Sequence, residues 1–139
     1  MKQAEDIHTI DFIDNQNKRL DAIKQTLNNI EKSVVNGLCT IETLTEEKTE
    51  IEEQGYCFGT IHYKAGKYAY LIHPQQNGER VREYIGADPE RIEEAHARIA
   101  RAQRHRQLIQ EINQLENHLG WITRQIETAQ DTACHFNHW

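Results

Sequence analysis

Apolar residues recur along the first third of the chain at seven-residue intervals. Ile13, Leu20, Leu27, Val34 and Ile41 keep one phase, with Lys48 next in register. Three residues after each come Gln16, Ile23, Ile30, Gly37, Leu44 and Ile51; only Gln16, Gly37 and Lys48 break the apolar seam. A heptad sustained this long predicts a coiled-coil helix, not a generic surface helix. It should extend about 60 Å over roughly 40 residues. Asn36-Gly37 is its weak point, because Asn-Gly favours a turn. The heptad phase runs through it, so a continuous helix is expected there, with a helical hairpin as the alternative.

Near Gly55 the pattern changes to period two. "YCFGTIHYK", "KYAYLIH" and "ERVREYI" read as three strands, joined at Ala65-Gly66 and Asn77-Gly78. Asn-Gly is a strong hairpin signal, since a tight primed turn needs positive φ at both central residues. Pro74, which has no N–H to give a ladder, suits the end of the second strand. Tyr70, Ile72, Val81 and Ile85 are expected to pack on the helix ends.

"GADPERIEEA" restarts the helix. Asp88 is a suitable N-cap, Pro89 suits the first helical position, and Glu90, Glu93 and Glu94 complement the helix N-terminus. Ile92, Ala95, Ile99 and Ala102 make a thin seam of small residues. Leu108, Ile112, Leu115, Leu119, Ile122, Ile126 and Ala129 make a second heptad seam beyond Arg101–Gln107. The expected fold is mostly α with a small β-unit: two long coiled-coil helices flanking a three-stranded antiparallel meander. Its boundaries are residues 1–54, 56–86 and 88–130 in one elongated domain, with a tail at 131–139. One seam per helix leaves apolar surface to cover, so a dimer or higher homo-oligomer is expected through Ile13, Leu20, Leu27, Val34, Ile41, Leu108, Ile112, Leu115, Leu119, Ile122 and Ile126.

Composition sharpens this picture. Hydrophobic residues are 37% of the chain, against roughly 45–50% in globular proteins, which favours narrow seams over one compact core. No run of 18 apolar residues is present, and the acidic start "MKQAEDIHTIDF" lacks the apolar stretch of a secretory signal. Cys39, Cys57 and Cys134 are odd in number and widely spaced, which implies a reducing, cytoplasmic setting, not a disulfide framework. The net charge of −6 hides an asymmetry. Residues 1–53 carry −6, residues 54–106 carry +3, and residues 107–139 carry −3. The acidic run Glu46–Glu53 and the basic run Arg98–Arg106 would face each other if the two helices are antiparallel.

Catalytic signatures are weak. The Walker spacing is missing around Gly55, Gly59 and Gly66, and His62, His73, His96 and His105 have no partner at a spacing that announces a triad. The tail offers Cys134, His135 and His138, short of the four ligands of a structural zinc site. No enzyme activity, metal or cofactor is therefore expected. The candidate surface is the meander with the start of the second helix: Tyr63, Lys64, Lys67, Tyr68, Arg80, Arg82, Tyr84, Arg98 and Arg101. Basic and aromatic side chains on an open sheet suit phosphates and stacked bases. They equally suit a protein interface, where Tyr and Arg are enriched.

"GTIHYKAGKYAYLIHPQQNGERVREYIGADPE", Gly59 to Glu90, resembles a pattern of phage and mobile-element proteins: "GKYxYL", a turn, a basic third strand and "YIG" leading into a helix. Such meanders are similar to the arm-binding sheets of tyrosine integrases and to segments of some transposases. The resemblance covers 32 of 139 residues and none of those enzymes' catalytic parts. It implies an accessory protein of a phage or mobile element, in the host cytoplasm if phage-encoded, facing DNA or proteins that handle nucleic acid; nucleic-acid binding through the meander is the expected function. The alternatives are an inhibitor or adaptor of a host nucleic-acid-handling protein, such as a counter-defence factor, and an oligomer that sequesters a small phosphorylated ligand.

Overall fold

The computed structural model describes residues 2–138, and the side chains of residues 7–137. Helix α1 spans Lys2–Gln54 and helix α2 Pro89–Cys134; strands β1 (Thr60–Lys64), β2 (Tyr68–Ile72) and β3 (Arg82–Gly86) lie between them. A short 3-10 turn, His135–His138, follows α2, so helix continues into what was expected to be a tail. Among the described residues no helix is long and apolar enough to cross a membrane.

The chain divides into two units, Met1–Thr40 and Ile41–Trp139. The first is α1 alone. It runs unbroken through Asn36-Gly37, where the Thr40 hydroxyl donates to the Asn36 carbonyl at 2.9 Å. Its seam is unevenly covered: Ile30 and Val34 are half-buried, whereas Ile13, Leu20, Ile23 and Leu27 are exposed.

In the second unit α1 ends at Gly55, whose φ of 87° and N–H to Ile51 carbonyl bond (2.9 Å) make a left-handed helix cap. A loop then leads into the sheet, ordered β1-β2-β3 and antiparallel throughout. Both predicted turns are present. Ala65 and Gly66 have φ of 59° and 70°, closed by the Lys67 N–H on the Lys64 carbonyl. Asn77 and Gly78 have φ of 53° and 82°, and Gln76 and Glu79 exchange two backbone hydrogen bonds around them. Gly59 answers to a different constraint: a Cβ there would lie 2.6 Å from the Ile72 carbonyl oxygen.

The packed face of the sheet differs from expectation. Ala69, Leu71 and Ile85 form the core with Cys57 and with Ala95 of α2, and Ile61, Ile92 and Ile99 pack around them. Tyr70 and Ile72 belong to the opposite face, and Val81 is exposed before β3 begins. Pleat alternation explains the first correction, since residues two apart share a face and Ala69 and Leu71 alternate with Tyr70. Small Ala69 and Ala95 let the helix approach the sheet; a tyrosine in that layer would hold it off. A register shift between Ala69 and Tyr70 pairs Tyr70 with Tyr84 but Ala69 with Gly86, leaving Ile85 between them on the core side, as its alternation with Glu83 requires.

The expected charge pairing between helices is present. Arg104 makes two hydrogen bonds to Glu47 (2.8 and 2.9 Å), His105 meets Glu52 (2.9 Å), and Arg101 donates to the Gly55 carbonyl (2.7 Å). Going back along α1 from Gly55 to Glu47 goes forward along α2 from Arg101 to Arg104, which is antiparallel.

Leu71 is fully buried at the centre of this core. Leu71→Ala should lower unfolding free energy by about 2–5 kcal/mol, read by urea titration. Gly59→Ala should also destabilise, because the added methyl meets backbone that cannot move without breaking the β1-β2 ladder.

Candidate functional site

With one sheet face on α2, the other is free. Alternation assigns it Thr60, His62 and Lys64 from β1, Tyr68, Tyr70 and Ile72 from β2, and Arg82 and Tyr84 from β3. Register arranges them in rows. Thr60, Ile72 and Arg82 form one end; His62, Tyr70 and Tyr84 the middle; Lys64 and Tyr68 the turn end. None of these side chains is acidic, although the whole chain carries a net charge of −6. The one carboxylate in the strands, Glu83, alternates to the α2 side. Tyr70 and Tyr84 touch with ring centroids 5.2 Å apart at 57°, and the Lys67 ammonium lies 5.3 Å from the Tyr68 ring.

Two shallow hollows mark this face. One, of about 450 Å³, is lined by His62, Tyr63, Lys64, Tyr70, Ile72 and Arg82. The other, of about 490 Å³, is lined by Lys64, Ala65, Tyr68, Tyr70 and Tyr84. Both volumes lie within the range of small-ligand sites.

The fold brings together Lys64, Tyr68, Arg82 and Tyr84, with Lys67 at the adjoining turn. Tyr63 alternates to the other side of β1 and reaches only the rim of the first hollow. Arg80, exposed and ahead of β3, lines a separate depression beside His73 and Pro74. Arg98 and Arg101 do not join the face: Arg98 is bound to Glu83 on the α2 side, and Arg101 to Gly55 and Glu94. His62, Tyr70 and Ile72 belong to the face though sequence reasoning left them out, because it assigned Tyr70 and Ile72 to the core.

A second cluster lies behind the sheet. Cys57 Sγ is 3.2 Å from His73 Nδ1, His73 Nε2 is 3.0 Å from Glu83 Oε2, and Arg98 donates to both Glu83 oxygens at 3.3 and 3.2 Å. A neutral imidazole protonated on Nε2 satisfies the whole chain: the thiol donates to Nδ1, and Nε2–H and the guanidinium donate to the carboxylate. The hydrogen bond from His73, with help from Arg98, holds Glu83 below its usual pKa. Burial pushes the Cys57 thiol up, the reverse of an activated nucleophile. The order Cys, His, Glu is that of a triad, but its chemistry here is that of a clamp. It ties the loop, the sheet and α2 together, aided by the Cys57 N–H on the Arg98 carbonyl (3.2 Å), Tyr56 stacked on His105 and Arg106 over Phe58. The signal for it was the hairpin register: Thr60 opposite Ile72 brings the residues before Thr60 beside His73. Among the described residues no group of three His, Cys, Asp or Glu side chains is arranged to hold a metal ion; the side chain of His138 lies outside them.

Comparison with known proteins gives no matching family model, no matching curated protein and no matching solved structure.

Because Glu83 titrates lower in the folded state, its contribution is present above the ordinary value of 4.5 and is lost as pH falls through the folded value. Glu83→Gln should cost about 1 kcal/mol at pH 7, since the carboxylate is partly solvated. It should also flatten the loss of stability seen in urea titrations below that ordinary value. Equal pH profiles for variant and parent would show that the clamp adds no stability.

Proposed function

We propose that the chain is a non-enzymatic, self-associating protein that binds nucleic acid on the open face of its sheet. The observation that carries the reading is the composition of that face: Lys64, Arg82 and His62 around Tyr68, Tyr70 and Tyr84, with no carboxylate, in a chain that is acidic elsewhere. Cations take phosphates and fix register, while aromatic rings and hydroxyls meet bases. The local positive field also steers a polyanion toward the sheet and away from the acidic end of α1. The resemblance of the Gly59–Glu90 stretch to phage and mobile-element proteins supports the same class of partner.

Self-association is proposed for the first unit. Ile13, Leu20, Ile23 and Leu27 are 49–57% exposed on one helix at heptad spacing. Such spacing fits knobs-into-holes packing against another helix of the same repeat, and a second copy of α1 supplies one. Each buried Leu or Ile contributes about 1.5–3 kcal/mol. A parallel pair would set Arg19 against Lys24 of the second copy, so the antiparallel pair is favoured.

Filter binding or anisotropy across a salt series tests the nucleic-acid reading. Lys64→Ala with Arg82→Ala should weaken binding and reduce the slope of log K against log salt by about 1.5, as expected for two lost phosphate contacts. Unchanged affinity and slope would overturn the assignment of the face. No affinity for any nucleic acid, with a stable complex formed by a host protein instead, would move the function to an inhibitor or adaptor. For the seam, light scattering of Leu20→Glu with Leu27→Glu should give a monomer where the parent gives a dimer or higher species. A monomeric parent would contradict self-association.

A further inference from the structure

The two hollows of the open face are not independent. They share Lys64 and Tyr70 as lining residues, so these two side chains stand where the hollows meet. The first hollow is lined by apolar Ile72 as well as by His62 and Arg82. The second is walled by Tyr68 and Tyr84. The Tyr84 ring lies beside Gly86, two residues on. A Cβ built on Gly86 would sit 3.6–3.7 Å from the hydroxyl end of the Tyr84 ring, so the ring lies along β3 over the bare glycine. Tyr84 is nevertheless 53% exposed, which leaves ring surface free.

Shape then separates the classes of nucleic acid. A reader of duplex grooves must project into them, as a helix or ribbon does. This face is recessed at the first hollow and nearly flat at the second, with no element projecting from it, and its central row offers ring surface. In a duplex the base faces are stacked on one another and unavailable; in an unpaired strand they are free to stack on aromatic side chains. Successive rows of one sheet face are about 7 Å apart, so cations at Lys64 and Arg82 flank the aromatic row on both sides within reach of a backbone.

We propose that the open face takes an unpaired strand, with two neighbouring bases seated on either side of Tyr70, Lys64 on the phosphate between them and Arg82 on the phosphate beyond. The proposal rests on the nucleic-acid reading of the same face. It names the ligand class as single-stranded; the shared chemistry is an unstacked base on a phosphodiester chain, whether RNA or DNA.

The test uses the full chain with short oligonucleotides carrying 2-aminopurine, as RNA, as DNA and as the matching duplexes. Single strands should bind about tenfold or more tighter than duplexes, and 2-aminopurine emission should be quenched by stacking. Tyr84→Ala and Tyr70→Leu should each lose about tenfold in affinity with an unchanged salt slope, while Tyr84→Phe, which keeps the ring, should bind as the parent. The ratio of RNA to DNA affinity identifies the natural strand. Circular dichroism melts establish that each variant is folded, and Tyr84, being exposed, can be changed even if Tyr70→Leu unfolds. Equal or tighter duplex binding, or full affinity in folded Tyr84→Ala, overturns the single-strand proposal and leaves the nucleic-acid reading standing. Failure of every strand and duplex to bind overturns both.

Discussion

The second unit depends on one small core that Ala69 of the middle strand and Ala95 of α2, both almost completely buried, share. Because neither holds the elements apart, Leu71, Ile85 and Cys57 close around them with Ile92 and Ile99 at the edge. Three strands make a weak sheet on their own; a helix across one face gives it a core. That choice of face decides the rest. The β period of two sends Ala69 and Leu71 inward and Tyr68 and Tyr70 outward, with Ile72 on the outer face yet buried, so the packing that stabilises the sheet also creates its outer surface.

Charge is sorted by the same alternation. Glu83 turns inward and is hydrogen-bonded by His73 and paired with Arg98, which leaves Arg82 and Lys64 on the outer face with no carboxylate beside them in the sheet. Glu47 and Glu52 are engaged by Arg104 and His105, which lowers both carboxyl pKa values through those hydrogen bonds. Arg101 and Arg104 of early α2 are therefore occupied in joining the helices, and Arg98 in holding Glu83. The proposed working surface is narrower than the basic segment of the sequence: a few cations around three tyrosines, held by a core on one side and a polar clamp behind.

Much of the architecture was legible from pattern alone. Heptad spacing carried α1 through Asn36-Gly37, where a local turn signal opposed it, since helix continuity there costs only about 1 kcal/mol for the glycine. Asp88 and Pro89 marked the start of α2, and Ala65-Gly66 and Asn77-Gly78 the turns. The orientation of the sheet was not legible. Both faces of β2 are apolar enough to pack, and the larger area of Tyr70 and Ile72 argued for the wrong one; closeness of approach at Ala95 decided otherwise. Arg82 pairs with Ile72 and Tyr84 with Tyr70 without a break, so counting puts Val81 on the side of Glu83 and Ile85; it is exposed because it lies ahead of β3, outside the cluster around Leu71. The cluster of Cys57, His73 and Glu83 joins residues 10 and 16 positions apart, and only a folded hairpin reveals it.

The central claim is that the outer sheet face is the binding surface, and its most direct measurement is a backbone amide NMR titration of the full chain with a short single-stranded oligonucleotide. The account predicts shifts concentrated in Thr60–Lys64, Tyr68–Ile72 and Arg82–Gly86 and in the turn at Ala65-Gly66, with the middle of α1 unmoved. Shifts confined to the helices, or no shifts at saturating oligonucleotide, would contradict it.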